Sequence, residues 1–181
     1  MDKNLWKFGT REVVYSAIGA ALYGVLSYAT NVLALPAAGN ISLRPAVAIP
    51  MFFGVVWGPI VGFLSGFVGN WIGDGITGWG FYWNWCVGNG LMGLVPGLIA
   101  AGITSYKAQS TLIKAAIYSV LGAAVGMLFA AVTEKYISGL DWSTAIVGYF
   151  VPAFLSDAIN GAILVPILMV AYDAVVSRSG R

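Results

Sequence analysis

The sequence predicts an all-α integral membrane protein, a six-transmembrane-helix bundle forming a single domain over residues 1–181. Of the 181 residues, 59% are hydrophobic and only 9% are charged, too few charges to cover a soluble globule of this size. Mean hydropathy is +0.85. No polar linker or low-complexity tract interrupts the chain, so we expect one domain.

Charged residues divide the chain into apolar segments that we interpret as helices. The first, Val13–Leu35, is too long for a signal-peptide core and is predicted to be a retained span. The others are Pro45–Trp57, Pro59–Gly73, Trp85–Tyr106, Ala115–Thr133 and Trp142–Tyr172. The second and third are short and hinged at Gly58-Pro59, so they form either two of the six helices or a re-entrant hairpin. Folding at this hinge returns Arg44 and Asp74 to one membrane face, where they could pair.

The distribution of Lys and Arg predicts the orientation of the bundle. With six spans and the N-terminus inside, seven basic residues fall on the inner side and two, Arg44 and Lys135, on the outer side. By the positive-inside rule, both termini are cytoplasmic. The net charge of +2, with no basic stripe, excludes nucleic acid as a partner.

The polar residues give no support for an enzyme. The chain has no histidine and one cysteine, Cys86, which excludes histidine-based triads, zinc sites and an internal disulfide. No nucleophile has a base beside it, no span carries paired carboxylates, and no phosphate-binding glycine loop is present. We therefore expect no catalytic residue, metal or cofactor, and active transport would draw its energy from another protein.

Three apolar segments carry polar residues that lipid does not tolerate. Asp157 lies near the middle of the last segment, with Asn160 on the same helical face. Asn70 and Asn89 lie in the third and fourth segments, where each needs a polar partner. Asp157 is interpreted either as a ligand-binding group or as a structural acid. A structural acid would be held in its neutral form or hydrogen-bonded to these amides.

An aromatic loop follows the third segment, where glycines, rings and amides share the stretch from Gly75 to Asn89. It is interpreted either as a belt at the membrane interface or as a lid over a ligand, and the two interpretations are compatible. The candidate pocket combines this loop with the polar residues of the spans. Its members are Asn70, Asp74, Trp79, Tyr82, Trp83, Asn84, Asn89, Asp157 and Asn160.

Small residues mark two helix faces suited to close packing. Glycines 58, 62, 66, 69 and 73 lie on one face of the third segment and allow a neighbouring helix to approach closely. In the first segment Ala17, Ala20, Ala21 and Gly24 form a smooth face, which suits either an internal or a foreign helix.

The run RPAVAIPMFFGVVWGPIVGFLSGFVGNWIGDG, the aromatic loop after it and the small-residue first helix resemble the substrate-binding (S) component of energy-coupling factor (ECF) vitamin transporters. The resemblance covers nearly the whole chain. It implies a six-helix bundle in a prokaryotic plasma membrane, with an outward-facing pocket capped by Asn31–Arg44 and Asp74–Asn84. It also implies that Ala17 and Ala21 face a transmembrane coupling (T) component, which two ATPase subunits drive.

The resulting hypothesis is a subunit that binds a water-soluble vitamin or precursor, with riboflavin-like or pyrimidine-like compounds favoured and a corrin or queuosine precursor as other candidates. The resemblance implies that the bundle topples in the membrane to deliver its ligand. The alternative is a stand-alone secondary transporter in which Asp157 exchanges protons. A third interpretation is a packing subunit without a ligand.

Overall fold

The computed structural model of the protein describes residues 5–30 and 43–179. Within these residues the chain forms six α-helices and no strand. The helices are α1 (Thr10–Thr30), α2 (Ala48–Trp57), α3 (Pro59–Thr77), α4 (Trp83–Gly97), α5 (Gln109–Ser138) and α6 (Val151–Ser179). Short 3₁₀ turns lie at Pro45–Val47 and Ala100–Gly102, and a π-helical segment, Thr144–Phe150, runs directly into α6.

In the part of the chain that the structure describes, four helical stretches are long and apolar enough to cross a membrane. They are Thr10–Thr30, Trp83–Gly102, Gln109–Ser138 and Thr144–Arg178. The prediction of an all-helical membrane protein is therefore confirmed. The number of spans stays a prediction, because α2 has only 10 residues and α3 falls outside this group.

The helices extend beyond the apolar segments read from the sequence. Lys114 and Glu134, which bounded the fifth predicted segment, both lie inside α5. Backbone hydrogen bonding continues past a charge wherever the side chain reaches water or a partner, so charges alone misplace helix ends. Residues 31–35 of the predicted first helix lie outside the described residues.

A single residue, Gly58, separates α2 from α3. Its φ of 105° lies in the region that favours glycine. Pro59 is the first residue of α3, a position where a backbone N–H would have no hydrogen-bond partner within the helix. At its far end α3 continues to Thr77 and stops at Gly78, which adopts the left-handed conformation common after helices.

The helices pack in the order α1, α3, α4, α5, α6, and α2 lies among α1, α3, α4 and α6. The pairs Gly19–Ser65 and Gly24–Ile72 show that α1 runs parallel to α3. We call the end at which α1 and α3 finish the Thr30 end. The opposite end, where α2 finishes, is the Trp57 end.

An aromatic cluster fills the Trp57 end. Tyr15 stacks on Trp57 with ring centroids 4.4 Å apart, and Tyr172 packs against Trp57 at 5.6 Å. Five of the described basic residues belong to this end, namely Lys7, Arg11, Lys107, Lys114 and Arg178, against Arg44 and Lys135 at the Thr30 end.

Glycines bring the helix backbones of the bundle into direct contact. A Cβ atom placed on Gly62 would overlap the carbonyl oxygen of Gly93, and one on Gly66 would overlap that of Asn89, both in α4. Gly69 faces α1 instead, where a Cβ would lie 2.9 Å from the carbonyl oxygen of Ala20. The glycine face of α3 thus serves two neighbouring helices.

The small residues of α1 divide between the bundle and its outer surface. Ala20 is 3% exposed and Gly24 packs against Ile72 of α3, whereas Ala17 and Ala21 are exposed. At 100° per residue the four residues cover about 100° of the helix circumference. Ala20 and Gly24 lie on the side that contacts α3, and Ala17 and Ala21 lie just outside that contact.

Asp141 caps the start of the π-helical segment. Its Oδ1 accepts from the backbone N–H of Thr144 at 3.0 Å, and its Oδ2 accepts from the Thr144 hydroxyl at 2.7 Å. These hydrogen bonds stabilise the charged carboxylate and hold the pKa of Asp141 below its ordinary value of 3.8.

Candidate functional site

A group of buried polar side chains lies in the half of the bundle nearer the Thr30 end, and we call it the polar centre. Asn89 and Asp157 are fully buried, and Asp74 is 7% exposed. Four helices and the residue just before the first 3₁₀ turn supply the group. Its members are Tyr23, Arg44, Asn70, Asp74, Asn89 and Asp157.

An ion pair joins the connection before α2 to α6. Nη2 of Arg44 lies 3.1 Å from Oδ2 of Asp157, and the two side chains are 13% and 1% exposed. The backbone N–H of Arg44 also donates to Oγ of Ser156 at 3.4 Å. Because a buried carboxylate without a cation is costly, Arg44 accounts for the presence of Asp157 inside the bundle. Arg44 therefore pairs with Asp157 and not with Asp74, the partner suggested by the sequence.

Asn70 connects this ion pair to the second carboxylate. Its Oδ1 accepts from Nη1 of Arg44 at 3.5 Å, and its Nδ2 donates to Oδ2 of Asp74 at 2.8 Å. The same Nδ2 lies 3.6 Å from Sγ of Cys86. The polar centre thus holds two carboxylates and one guanidinium, linked through one amide.

Asn89 is fixed by hydrogen bonds to α1 and to its own helix. The hydroxyl of Tyr23 donates to Oδ1 of Asn89 at 2.6 Å, and Nδ2 of Asn89 donates to the carbonyl oxygen of Trp85 at 2.9 Å. These two bonds determine which way the amide faces and tie α1 to α4.

One acceptor of the polar centre is left without a donor. Oδ1 of Asp157 is buried and has no hydrogen-bond partner among residues 5–30 and 43–179. Buried polar atoms nearly always have a partner, so this exception calls for an explanation such as a bound molecule or water. This oxygen can accept a hydrogen bond from a bound small molecule or water.

A second polar cluster lies between α4 and α5. Glu134, 8% exposed, accepts from Nδ2 of Asn84 at 2.8 Å, from Nε1 of Trp85 at 3.0 Å and from the hydroxyl of Ser138. Asn84, predicted to join the ligand pocket, is therefore engaged with Glu134. Sequence reasoning missed Glu134 because it placed this residue beyond the end of the span. The signal that could have found it is Ser138, one helical turn later.

The structure brings four of the nine predicted pocket residues together in the polar centre: Asn70, Asp74, Asn89 and Asp157. Tyr82 and Trp83 are 47% and 48% exposed, and Trp79 is half-buried. Asn160 is half-buried and donates to the backbone carbonyl of Ser156, within its own helix.

Sequence reasoning missed Tyr23 and Arg44 as members of the polar centre. Tyr23 shares the α1 face of Ala20 and Gly24 that packs on α3, and this spacing was the available signal. Arg44 was expected at the outer membrane face, as a possible partner of Asp74 and as the last residue of a capping segment, but not as a member of the pocket. No sequence pattern places it beside Asp157, 113 positions away.

Residues 7–174 match the family model described as ECF-type riboflavin transporter, S component. A UPF0397 protein of Vibrio atlanticus (strain LGP32) is 45% identical over 91 residues, 50% of this chain and 49% of that protein. A UPF0397 protein of Aliivibrio fischeri (strain MJ11) is 41% identical over 102 residues, 56% of this chain and 54% of that protein.

The chain spans about half the length of the curated relatives it matches. No solved structure matches it. Because the family model covers nearly the whole sequence, the chain belongs to the family of ECF-type riboflavin transporter S components.

Proposed function

We propose that this protein is the substrate-binding subunit of an ECF-type importer and that its polar centre holds a water-soluble vitamin or vitamin precursor. The observation that carries the proposal is the buried Arg44–Asp157 pair with its linked amides. A bundle that served only as packing would gain nothing from these groups, since burying an ion pair in place of apolar residues is often neutral or unfavourable. Binding of a ligand would explain why these groups are buried in the bundle.

The proposed ligand contacts extend from the polar centre to the aromatic residues of the Thr30 end. Asn70, Asp74, Asn89 and Asp157 orient the ligand by hydrogen bonds, and Tyr23 and Arg44 join them on the evidence of their contacts. The rings of Trp79, Tyr82 and Trp83, with Asn84 and Asn160 nearby, line the approach. Such rings suit a flat heterocycle, and riboflavin, which the description of the family names, is the first compound to test.

The exposed part of α1 is the proposed contact with the T component. Ala17 and Ala21 lie on the surface of α1, beside the exposed side chains of Val14, Ile18 and Val25. In lipid, small residues allow a second helix to approach closely enough for van der Waals contact. The T component and two ATPase subunits would supply the energy, because the chain has no ATP-binding motif of its own.

The orientation proposed for the bundle places the Trp57 end in the cytoplasm. Most described Lys and Arg residues belong to that end, as the positive-inside rule requires. Both termini are then cytoplasmic, and the polar centre lies nearer the outer face of a prokaryotic plasma membrane. Labelling of single cysteines introduced at Lys107 and Ser138, with a membrane-impermeant maleimide, tests this orientation in intact cells. The variant carries Cys86→Ala to remove the native thiol.

The ion pair weighs against a stand-alone proton-coupled transporter. Protonation of Asp157 would leave the guanidinium of Arg44 buried without its counter-ion, which is costly. Proteoliposomes containing this chain alone should therefore show no uptake driven by a pH gradient. Uptake under those conditions would support the alternative and contradict the proposal.

Ligand binding is tested on purified protein in detergent. The fluorescence of riboflavin should be quenched when it binds, and mass spectrometry should detect the ligand copurifying with the protein. Asp157→Ala and Trp83→Ala should both weaken the binding. Asp173→Asn is the matched control, because Asp173 pairs with Lys107 at 3.5 Å at the Trp57 end, far from the polar centre. Unchanged affinity in both site variants would remove the proposed site.

A further inference from the structure

We infer that the polar centre selects a neutral or cationic ligand that donates a hydrogen bond to Oδ1 of Asp157, and that it rejects ligands carrying a phosphate or carboxylate. This inference rests on the proposed function and names the chemical class of its substrate. It is argued from the charges and the hydrogen bonds of the polar centre.

The fixed charges of the polar centre disfavour an anion. The ionisable groups that face it are the guanidinium of Arg44, the carboxylates of Asp74 and Asp157, the hydroxyl of Tyr23 and the thiol of Cys86. With both acids ionised, the formal charge is one negative unit. In a water-poor interior a further negative charge meets much stronger repulsion than it would in water.

Among the described residues, Arg44 is the only cation of the polar centre, and it already donates two hydrogen bonds within the centre. Arg44 contacts Asp157 at 3.1 Å and Asn70 at 3.5 Å. An anionic ligand that took the guanidinium would leave Asp157 as a buried carboxylate without a counter-ion. The energetic penalty of that exchange works against phosphorylated and carboxylated compounds.

The hydrogen-bond inventory of the centre favours a ligand with donors. Nδ2 of Asn70 faces Asp74 and Cys86. The hydroxyl of Tyr23 donates its hydrogen bond to Asn89, and Nδ2 of Asn89 donates to the carbonyl oxygen of Trp85. Oδ1 of Asp157 is left as an acceptor with no donor among the described residues. A ligand N–H or O–H group, such as a ring imide, an amine or a hydroxyl, completes this set.

The test compares matched compounds on purified wild-type protein by thermal shift and titration. The pairs are riboflavin with riboflavin 5′-phosphate, thiamine with thiamine pyrophosphate, pyridoxal with pyridoxal 5′-phosphate, and nicotinamide with nicotinate. We expect the compound that stabilises the protein to be the uncharged or cationic member of its pair, with at least about tenfold tighter binding. If riboflavin binds, its N3-methyl derivative, which lacks the imide donor, should bind more weakly.

Two isosteric variants connect the selectivity to the residues. Asp74→Asn removes one negative charge without touching the ion pair, and it should narrow the preference between the two members of the pair by about tenfold. Asp157→Asn exchanges the carboxylate for an amide and should weaken the neutral ligand. Asp173→Asn should change neither. Asp74→Asn keeps the test decisive if Asp157→Asn does not fold.

The outcomes separate the inference from the proposed function. Tighter binding of a phosphorylated or carboxylated member, or an unchanged preference in Asp74→Asn, would overturn the inference while leaving the binding function intact. If no compound stabilises the wild-type protein, the proposed function fails and the inference fails with it.

Discussion

Gly66→Ala tests the backbone contact that holds the polar centre together. A methyl group at this position would overlap the carbonyl oxygen of Asn89 in α4, and the atoms it meets are backbone atoms that cannot rotate away. Forcing extra volume into such a contact costs about 1–3 kcal/mol. Alanine recovers about 0.5–1 kcal/mol through its better helix propensity, so at the middle of both ranges the net loss is about 1 kcal/mol.

Gly75→Ala in the same helix is the matched control. A Cβ at Gly75 meets nothing within 4 Å, so only the gain in helix propensity, at most about 1 kcal/mol, applies. The two variants should thus change stability in opposite directions. For a chain of this size the Tm of Gly66→Ala should fall by roughly 2–4 °C.

The assay is thermal unfolding of the purified protein in detergent, followed by tryptophan fluorescence, together with ligand affinity. Because the overlap falls on the backbone of Asn89, Gly66→Ala should also weaken ligand binding, whereas Gly75→Ala should leave it unchanged. A Gly66→Ala variant as stable as Gly75→Ala would refute the argument that α3 and α4 are held at backbone contact.

Further predictions concern the charged groups. Arg44→Ala should destabilise the protein by roughly 3–5 kcal/mol because it leaves a buried carboxylate unpaired. Lys107→Ala removes a side chain that is 70% exposed and should cost less than about 1 kcal/mol, so equal losses in thermal unfolding would contradict the burial argument. Glu134→Gln should lose roughly 1–3 kcal/mol, because both carboxylate oxygens accept hydrogen bonds and the amide replaces one of them with an N–H₂ group that cannot accept. An unchanged Tm would argue against these hydrogen bonds. Asp141→Ala should lower the Tm near neutral pH. Because the folded-state pKa of Asp141 lies below 3.8, its contribution is present above that pH and is lost as the pH falls through the folded pKa; a difference between wild type and variant that grew on acidification would contradict the capping role.

The fold could be predicted because membrane helices follow rules that are local in sequence. The length of an apolar segment, the break at Gly58 and the positions of glycines all act within a few residues. The ends of α5 were misplaced because Lys114 and Glu134 were taken as boundaries, although a helix accommodates a charge that finds water or a partner. Whether the side chain finds one depends on neighbouring helices, which a segment by itself does not reveal.

The candidate site divides in the same way. Asp157, Asn70 and Asn89 could be predicted because polar groups in lipid need partners wherever the partners lie. The identity of those partners depends on packing between distant parts of the chain. Arg44 reaches Asp157 because the 3₁₀ turn that follows it, Pro45–Val47, packs against α6. Asn84 bonds to Glu134, which lies 50 positions away in α5.

The groove between α1 and α6 is lined by aliphatic side chains and not by helix backbones in contact. Leu26 of α1 and Leu164 and Leu168 of α6 line it, with Ala48 and Ile49 between them. Widening it would slide soft aliphatic side chains past one another, whereas parting α3 from α4 would pull apart backbones in contact along their length. Thermal fluctuations of this protein should therefore be largest in the separation of α1 from α6, while α3 and α4 move together as one rigid unit.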